Sequence, residues 1–169
     1  MKRMYTLIAL LLAFLGVAFF SENGGLVKRR VPRVGVLTLM HHPALDQIYK
    51  GFVDELAREG YHDGKNIQIE YQNANGDQSN LKTMASKLVN DNCNVIYSIT
   101  TPAAQAAANS TSKVPIILGA VTDPKGAGLV KNNRHPGGNI SGISDQSPIK
   151  EQLTLVKEFM PHLKTLGVI

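Results

Sequence analysis

The chain predicts an α/β fold built on a doubly wound, parallel sheet. Short, compact apolar runs, such as Val34-Gly35-Val36-Leu37-Thr38-Leu39 and Val95-Ile96-Tyr97-Ser98-Ile99, have the composition of strands buried on both faces. They alternate with segments whose apolar residues fall three or four apart, the period of amphipathic helices, and that alternation is the βαβ pattern. The 169 residues are enough for one such domain with a real core.

Taken in order, residues 34–39 are the first strand. A helix begins at Pro43, carries Leu45, Ile48, Phe52 and Leu56 on one face, and stops at Gly60. Residues 67–71 alternate strictly and suit a strand nearer an edge. Asp77 or Ser79 caps a second helix, with Leu81, Met84, Leu88 and Val89 as its inner stripe. Residues 95–99 form the third strand, and residues 102–110 a short, Ala-rich helix able to lie close to the sheet. A fourth strand covers 115–119, and a short helix includes Leu129 and Val130. Pro136-Gly137-Gly138 is a turn before a fifth strand at 140–143. Ser147-Pro148 opens a helix bearing Leu153, Val156 and Phe159 that ends at Pro161, and residues 165–169 begin a sixth strand.

The third strand runs directly into Thr100-Thr101-Pro102-Ala103-Ala104-Gln105. Thr101 suits an N-cap and Pro102 the first helical position, where a missing N–H costs nothing. The unpaired backbone donors of that turn, with the positive end of the helix dipole, suit an anionic group such as a carboxylate. Ala103 and Ala104 have no bulk to hold a ligand away. In open parallel sheets ligands bind beyond the carboxyl ends of the strands. Here those ends are Met40-His41-His42, Gln72-Asn73-Ala74-Asn75, Thr100-Thr101, Ala120-Val121-Thr122-Asp123 and Ser144-Asp145-Gln146, which together would line one rim.

The net charge of +5 is uneven. Residues 1–32 hold five cations and the single acid Glu22, leaving 13 cations against 12 acids elsewhere. The folded part is nearly neutral and shows no basic stripe with interleaved aromatics, so nucleic-acid binding is set aside. Lys2-Arg3 followed by the uncharged, apolar residues 4–20 reads as a signal peptide or a signal-anchor. As a helix those 17 residues would span about 25 Å, slightly less than a bilayer core of about 30 Å. Residues 21–32 read as a polar tether. The lone Cys93, beside an apolar strand, reads as a buried and inert thiol.

No dinucleotide fingerprint, phosphate-binding loop or metalloprotease helix is present. Adjacent histidines rarely point at one ion, so His41-His42 reads as a loop over a ligand and no metal or other cofactor is expected. Asp123 suits a nucleophile, a base or simply a turn cap, and Asp145 shares the ambiguity. Two carboxylates on one rim suit an ammonium group at least as well as catalysis. Asn109-Ser110-Thr111 and Asn139-Ile140-Ser141 match a glycosylation pattern too short to weigh.

From residue 34 to 169 the chain resembles the N-terminal half of ABC-transporter substrate-binding proteins of the tryptophan-uptake type. The resemblance rests on stretches spread along it. They include His42-Pro43-Ala44-Leu45-Asp46, Tyr71-Gln72-Asn73-Ala74, Gly76-Asp77-Gln78-Ser79, Thr101-Pro102-Ala103-Ala104-Gln105, Ala120-Val121-Thr122-Asp123-Pro124, Pro136-Gly137-Gly138-Asn139 and Gly142-Ile143-Ser144-Asp145. It implies two α/β lobes closing on a small amino acid, tryptophan or a related aromatic one, with no chemistry done. It further implies a monomer outside the cytoplasm that serves a membrane ABC permease, either held to the membrane by its N-terminal segment or secreted or periplasmic once that segment is cleaved. Residues 33–146 would be the first lobe. Residues 147–169 would be the crossover helix and first strand of a truncated second lobe, so the chain is expected to be a fragment. The implied ligand residues are His42, Pro43, Thr100, Thr101, Ala103, Val121, Asp123, Ser144 and Asp145. Thr101 and the N–H groups after it would take the carboxylate, Asp123 or Asp145 the ammonium, and His42, Pro43 and Val121 the ring. The competing expectation is an exported α/β hydrolase or phosphatase-like enzyme using Asp123.

Overall fold

The computed structural model describes residues 31–167. The signal or anchor segment, residues 21–30 of the expected tether and residues 168–169 lie outside the described residues. The strands β1 (Arg33–Thr38), β2 (Gln68–Asn73), β3 (Val95–Ile99), β4 (Ile116–Leu118) and β5 (Ile140–Gly142) form one parallel sheet in the order β2-β1-β3-β4-β5. The helices are α1 (Pro43–Arg58), α2 (Gln78–Asn90), α3 (Thr101–Ser110) and α4 (Ile149–Phe159). The expected α/β class and parallel sheet are both present, with β2 at an edge.

The order follows from right-handed crossovers. Going from β1 to β2 the chain steps one way along the sheet, and from β2 through β3 to β5 it steps the other way, so the connecting helices fall on opposite faces. On one face Leu45, Ile48, Tyr49 and Phe52 of α1 pack over Val36, Tyr97 and Ile99. On the other, Leu81, Ala85 and Leu88 of α2 and Ala103, Ala104 and Ala107 of α3 pack over Leu37, Ile96, Ile116 and Leu118. The three alanines of α3 are completely buried, which brings that helix close to the sheet.

The helix ends are chemically explicit. At the end of α1, Gly60 adopts φ 85°; its N–H donates to the Ala57 carbonyl and that of Tyr61 to the Leu56 carbonyl, a Schellman ending. Helix α2 repeats the arrangement with Asn92 at φ 58°, Asn92 N–H donating to Val89 and Cys93 N–H to Leu88. Its N-cap is Asp77, whose carboxylate accepts the Ser79 N–H at 2.8 Å and the Ser79 hydroxyl at 2.7 Å. Those two bonds hold the Asp77 carboxyl below the usual carboxylate range.

Cys93 ends up under α2, 4% exposed, and burial pushes its thiol above the ordinary range, with Glu70 and Asp91 adding to the effect. A thiol reagent at neutral pH will therefore label Cys93 far more slowly in the native protein than in denaturant. Equal rates would contradict this burial.

Three expected elements differ. Residues 124–130 do not form a helix; they make turns closed by Ala127 N–H to the Asp123 carbonyl and Leu129 N–H to the Pro124 carbonyl. Gly126 and Gly128, the latter at φ 74°, disfavour helix there. Leu129 is still buried, so its apolar character served the core rather than a helix face. Residues 163–167 carry no strand. Helix α4 does form, but its apolar residues find no core: Leu153 is 43% and Phe159 79% exposed. Phe159→Ala will change unfolding free energy by no more than about 0.5 kcal/mol, the range of ordinary surface substitutions.

Candidate functional site

Parallel register sets Thr38 of β1 beside Ile99 of β3, so the segments that follow these strands emerge together at one end of the sheet. From there the chain turns to α1 on one face and to α3 on the other. The gap between β1 and β3 is thus the topological switch point, with two helix N-termini opening at it. The β4 end joins it through Gly119 N–H donating to the Ser98 carbonyl at 2.9 Å. The β5 end is tied on by Ile143 N–H to the Leu118 carbonyl at 3.0 Å, and by the Ser144 hydroxyl donating to the Thr122 carbonyl at 2.7 Å. The loop after β2 closes the other side, with Gly76 N–H donating to the Leu39 carbonyl at 2.8 Å. All five strand ends therefore contribute to one rim.

On that rim His42 is the N-cap of α1. Its Nδ1 accepts the Ala44 N–H at 3.2 Å, which puts the ring proton of the neutral imidazole on Nε2, and Pro43 begins the helix. Both residues are exposed. His41 instead turns toward Asp46, 3.3 Å away, and lies near the Tyr71 ring. Among the described residues no group of three or more His, Cys, Asp or Glu could hold a metal ion.

Thr100, not Thr101, is the N-cap of α3, and it makes no capping hydrogen bond through its side chain. Its backbone sits at φ 98°, ψ 151°, a region otherwise left to glycine and costing about 1–3 kcal/mol for other residues. This geometry makes Thr101 the first helical residue. The N–H groups of Thr101 and Ala103 then belong to the first turn and have no helical carbonyl to pair with, while Pro102 carries none. Ala104 N–H already donates to the Thr100 carbonyl at 3.0 Å.

Burial corrects one expected role. Val121 is completely buried in the core beside Leu118 and Leu129, so its side chain cannot form a ring wall. The Ala103 side chain is equally buried beneath α3, leaving only its backbone N–H for a ligand. Asp123 is exposed, and its Oδ1 accepts the Gly126 N–H at 2.9 Å, the turn-capping arrangement. Asp145 and Ser144 are exposed on the segment after β5.

The sequence reading passed over two further residues. The hydroxyls of Thr38, Ser98 and Thr100 are all buried at the ends of β1 and β3 with no hydrogen-bond partner among the described residues. Thr38 is 2% exposed and Ser98 completely buried. Such orphan groups are uncommon in folded proteins, and here they fall along the ends of β1 and β3, Thr38 on the face of Ile99 and Ser98 on the face of Leu37. The signal was present as a Thr and a Ser inside otherwise apolar strand runs.

The conformation of Thr100 gives a direct expectation. Thr100→Gly will raise stability by about 1 kcal/mol, because relief of strain exceeds the roughly 0.5–1 kcal/mol entropy cost of glycine. Thr100→Ala, which keeps a Cβ and loses only the hydroxyl, will gain less. Denaturant unfolding compares the two, and an Ala variant as stable as the Gly variant would remove the strain argument.

Residues 33–169 match the profile of the family described as ABC transporter substrate binding protein. The tyrosine-binding protein of Clostridioides difficile strain R20291 is 47% identical over 149 residues, covering 88% of this chain and 43% of that relative. The ABC domain from Streptococcus pneumonia, solved in complex with L-Trp, superposes with a TM-score of 0.73 at 45% identity, covering 79% of this chain and 45% of its own. A ligand-free, open substrate binding protein with adhesive properties from Clostridium difficile superposes with a TM-score of 0.74 at 45% identity, covering 79% and 45%. The chain thus spans less than half the length of each of these three relatives. Through the profile match over residues 33–169 and this shared parallel lobe, the chain belongs to the ABC transporter substrate binding protein family.

Proposed function

We propose that residues 33–146 are one lobe of an extracytoplasmic solute-binding component that captures an aromatic amino acid, tryptophan or tyrosine, for an ABC importer in the membrane. The observation that carries this reading is the polar switch point, where the first-turn N–H groups of Thr101 and Ala103 follow Thr100, the strained N-cap whose own hydroxyl is buried without a partner among the described residues. Those N–H groups at the positive end of a helix suit a carboxylate. Asp123 or Asp145 faces the ammonium, and exposed His42 and Pro43 supply apolar surface to the ring. The ring preference itself draws on the relatives, one named for tyrosine and one solved with L-Trp. Their length, more than twice the matched region, supports a second lobe as the opposite wall, with residues 147–169 leading toward it. Closure of that wall would exclude water from the site. The N-terminal apolar segment would tether the protein, acting as a monomer, at the membrane.

The test is calorimetric titration with L-tryptophan and L-tyrosine, with the recovered ligand checked by mass spectrometry. Saturable binding of unchanged ligand is expected. Conversion of the ligand would favour a hydrolytic use of Asp123 and overturn the reading. Thr101→Leu blocks the first turn without removing the cap, which is Thr100, and will weaken binding at least tenfold while leaving the fold intact. An unchanged dissociation constant would move the carboxylate elsewhere on the rim.

A further inference from the structure

Beyond the switch point, a cavity of about 170 Å³ opens between the ends of β4 and β5 and the loop that joins them. Its apolar walls include Leu118, Pro124 and Val130, and its polar walls include Asn133, Arg134 and Ser144. Leu118 and Pro124 are buried, whereas Arg134 and Ser144 are exposed at the mouth. The lining is divided between apolar surface at its floor and polar groups at its mouth.

The loop itself carries charge of one sign, with the acids Asp123 and Asp145 standing at its two ends. From Pro124 to Ser144 the chain contains Lys125, Lys131 and Arg134 and not one Asp or Glu. Among the described residues the Arg134 guanidinium makes no ion pair. The nearest acid before this stretch, Asp123, has one carboxylate oxygen engaged by the Gly126 N–H. The loop carrying Arg134 is shaped locally, since the Asn132 side-chain oxygen accepts the Arg134 N–H at 2.8 Å. The Ser144 hydroxyl proton is already donated to the Thr122 carbonyl, so the free donor at this mouth that carries a charge is the guanidinium.

We infer that this cavity is a second ligand site, separate from the switch point, that takes a small aliphatic carboxylate. The planar guanidinium of Arg134 matches a carboxylate with two parallel N–H···O bonds. The short alkyl body lies against Leu118, Pro124 and Val130. A volume of about 170 Å³ is close to that of a protein cavity of about 150 Å³ that takes benzene, a ligand with as many heavy atoms as butyrate.

The experiment is an amide-resolved NMR titration of the full chain with butyrate, and in parallel with butyramide, its neutral isostere. Butyrate is expected to shift the amides of Asn133, Gly142 and Ser144 saturably, and butyramide to leave them unmoved. Arg134→Gln, an exposed loop substitution, should weaken butyrate at least tenfold with the remaining spectrum unchanged. A blocked tripeptide with a central Glu tests whether the carboxylate comes from a partner protein instead. Tighter binding of that peptide, an equal response to butyramide, or undiminished butyrate binding by the Gln variant would each overturn the inference. Butyrate should also bind without displacing tryptophan, so loss of either site leaves the other measurable.

Discussion

Gly142→Ala will detach the far edge of the sheet and lower stability by about 3–5 kcal/mol, near the upper end for a single substitution. Gly142 pairs with Leu118 across the β4–β5 ladder, at φ 145°, a conformation L residues rarely adopt. A Cβ there would stand 2.5 Å from the Leu118 carbonyl oxygen and 2.8 Å from its Cα. The obstacle is backbone in the β4–β5 ladder, so no side-chain rotation relieves it. The chain can escape only by breaking the pairing, which exposes Ile140 and frees the Ile143 N–H. Against a total of about 5–15 kcal/mol this is a large share. Urea unfolding measures the loss, and hydrogen exchange should place it: the Ile143 amide loses protection while the amides of β1 and β3 keep theirs. Full protection of Ile143 in the variant would refute the close approach.

The second large effect belongs to the packing between α2 and the middle of the sheet. Leu88 is completely buried and is the α2 residue whose carbonyl accepts the Cys93 N–H. Leu88→Ala is expected to cost about 2–5 kcal/mol, the transfer energy of the lost methyls plus the cavity left behind. Gly35 on β1 lies directly opposite; a Cβ at that position would stand 3.0 and 3.1 Å from the two Leu88 methyls and 3.2 Å from Cys93 Sγ. Gly35→Ala alone should therefore cost about 1–3 kcal/mol by overpacking. The two changes are complementary, because the added methyl enters the space the leucine vacates. The double variant will be more stable than the sum of the singles predicts, by about 0.5–3 kcal/mol. Simple additivity in denaturant unfolding would mean that the two positions do not touch.

Much of the fold was legible because its signals are local. Val34 to Leu39 and Val95 to Ile99 could be read as central strands, since burial on both faces removes polar alternation. Asp77 and Gly60 announced the ends of α2 and α1 because cap chemistry acts within a few residues. The same locality misplaced the start of α3. Thr101-Pro102 is a good cap pair by composition, but the cap is Thr100, held in a glycine-like conformation where the end of β3 meets the packing of α3. Likewise Gly126 and Gly128 overruled the apolar pair Leu129-Val130, which contributes to the core from a turn.

The rim divides along the same line. By itself the sequence determined that five polar segments follow five strand positions, and parallel pairing of those strands brings them to one end. Which face each residue turns to ligand or to core was decided only in the tertiary structure. Val121 has a side chain equally suited to a ring wall and to a core, and contacts with Leu118 and Leu129 assigned it to the core. Asp123 became a turn cap when Gly126, three residues on, presented its N–H. Thr38 and Ser98 lie inside apolar strand runs, and neighbouring strands and helices enclosed their hydroxyls and supplied no partner among the described residues. Periodicity and capping depend on residues within about one helical turn, so they are written in the local sequence. Burial and hydrogen-bond satisfaction depend on what arrives from tens of residues away, and only the folded chain settles them.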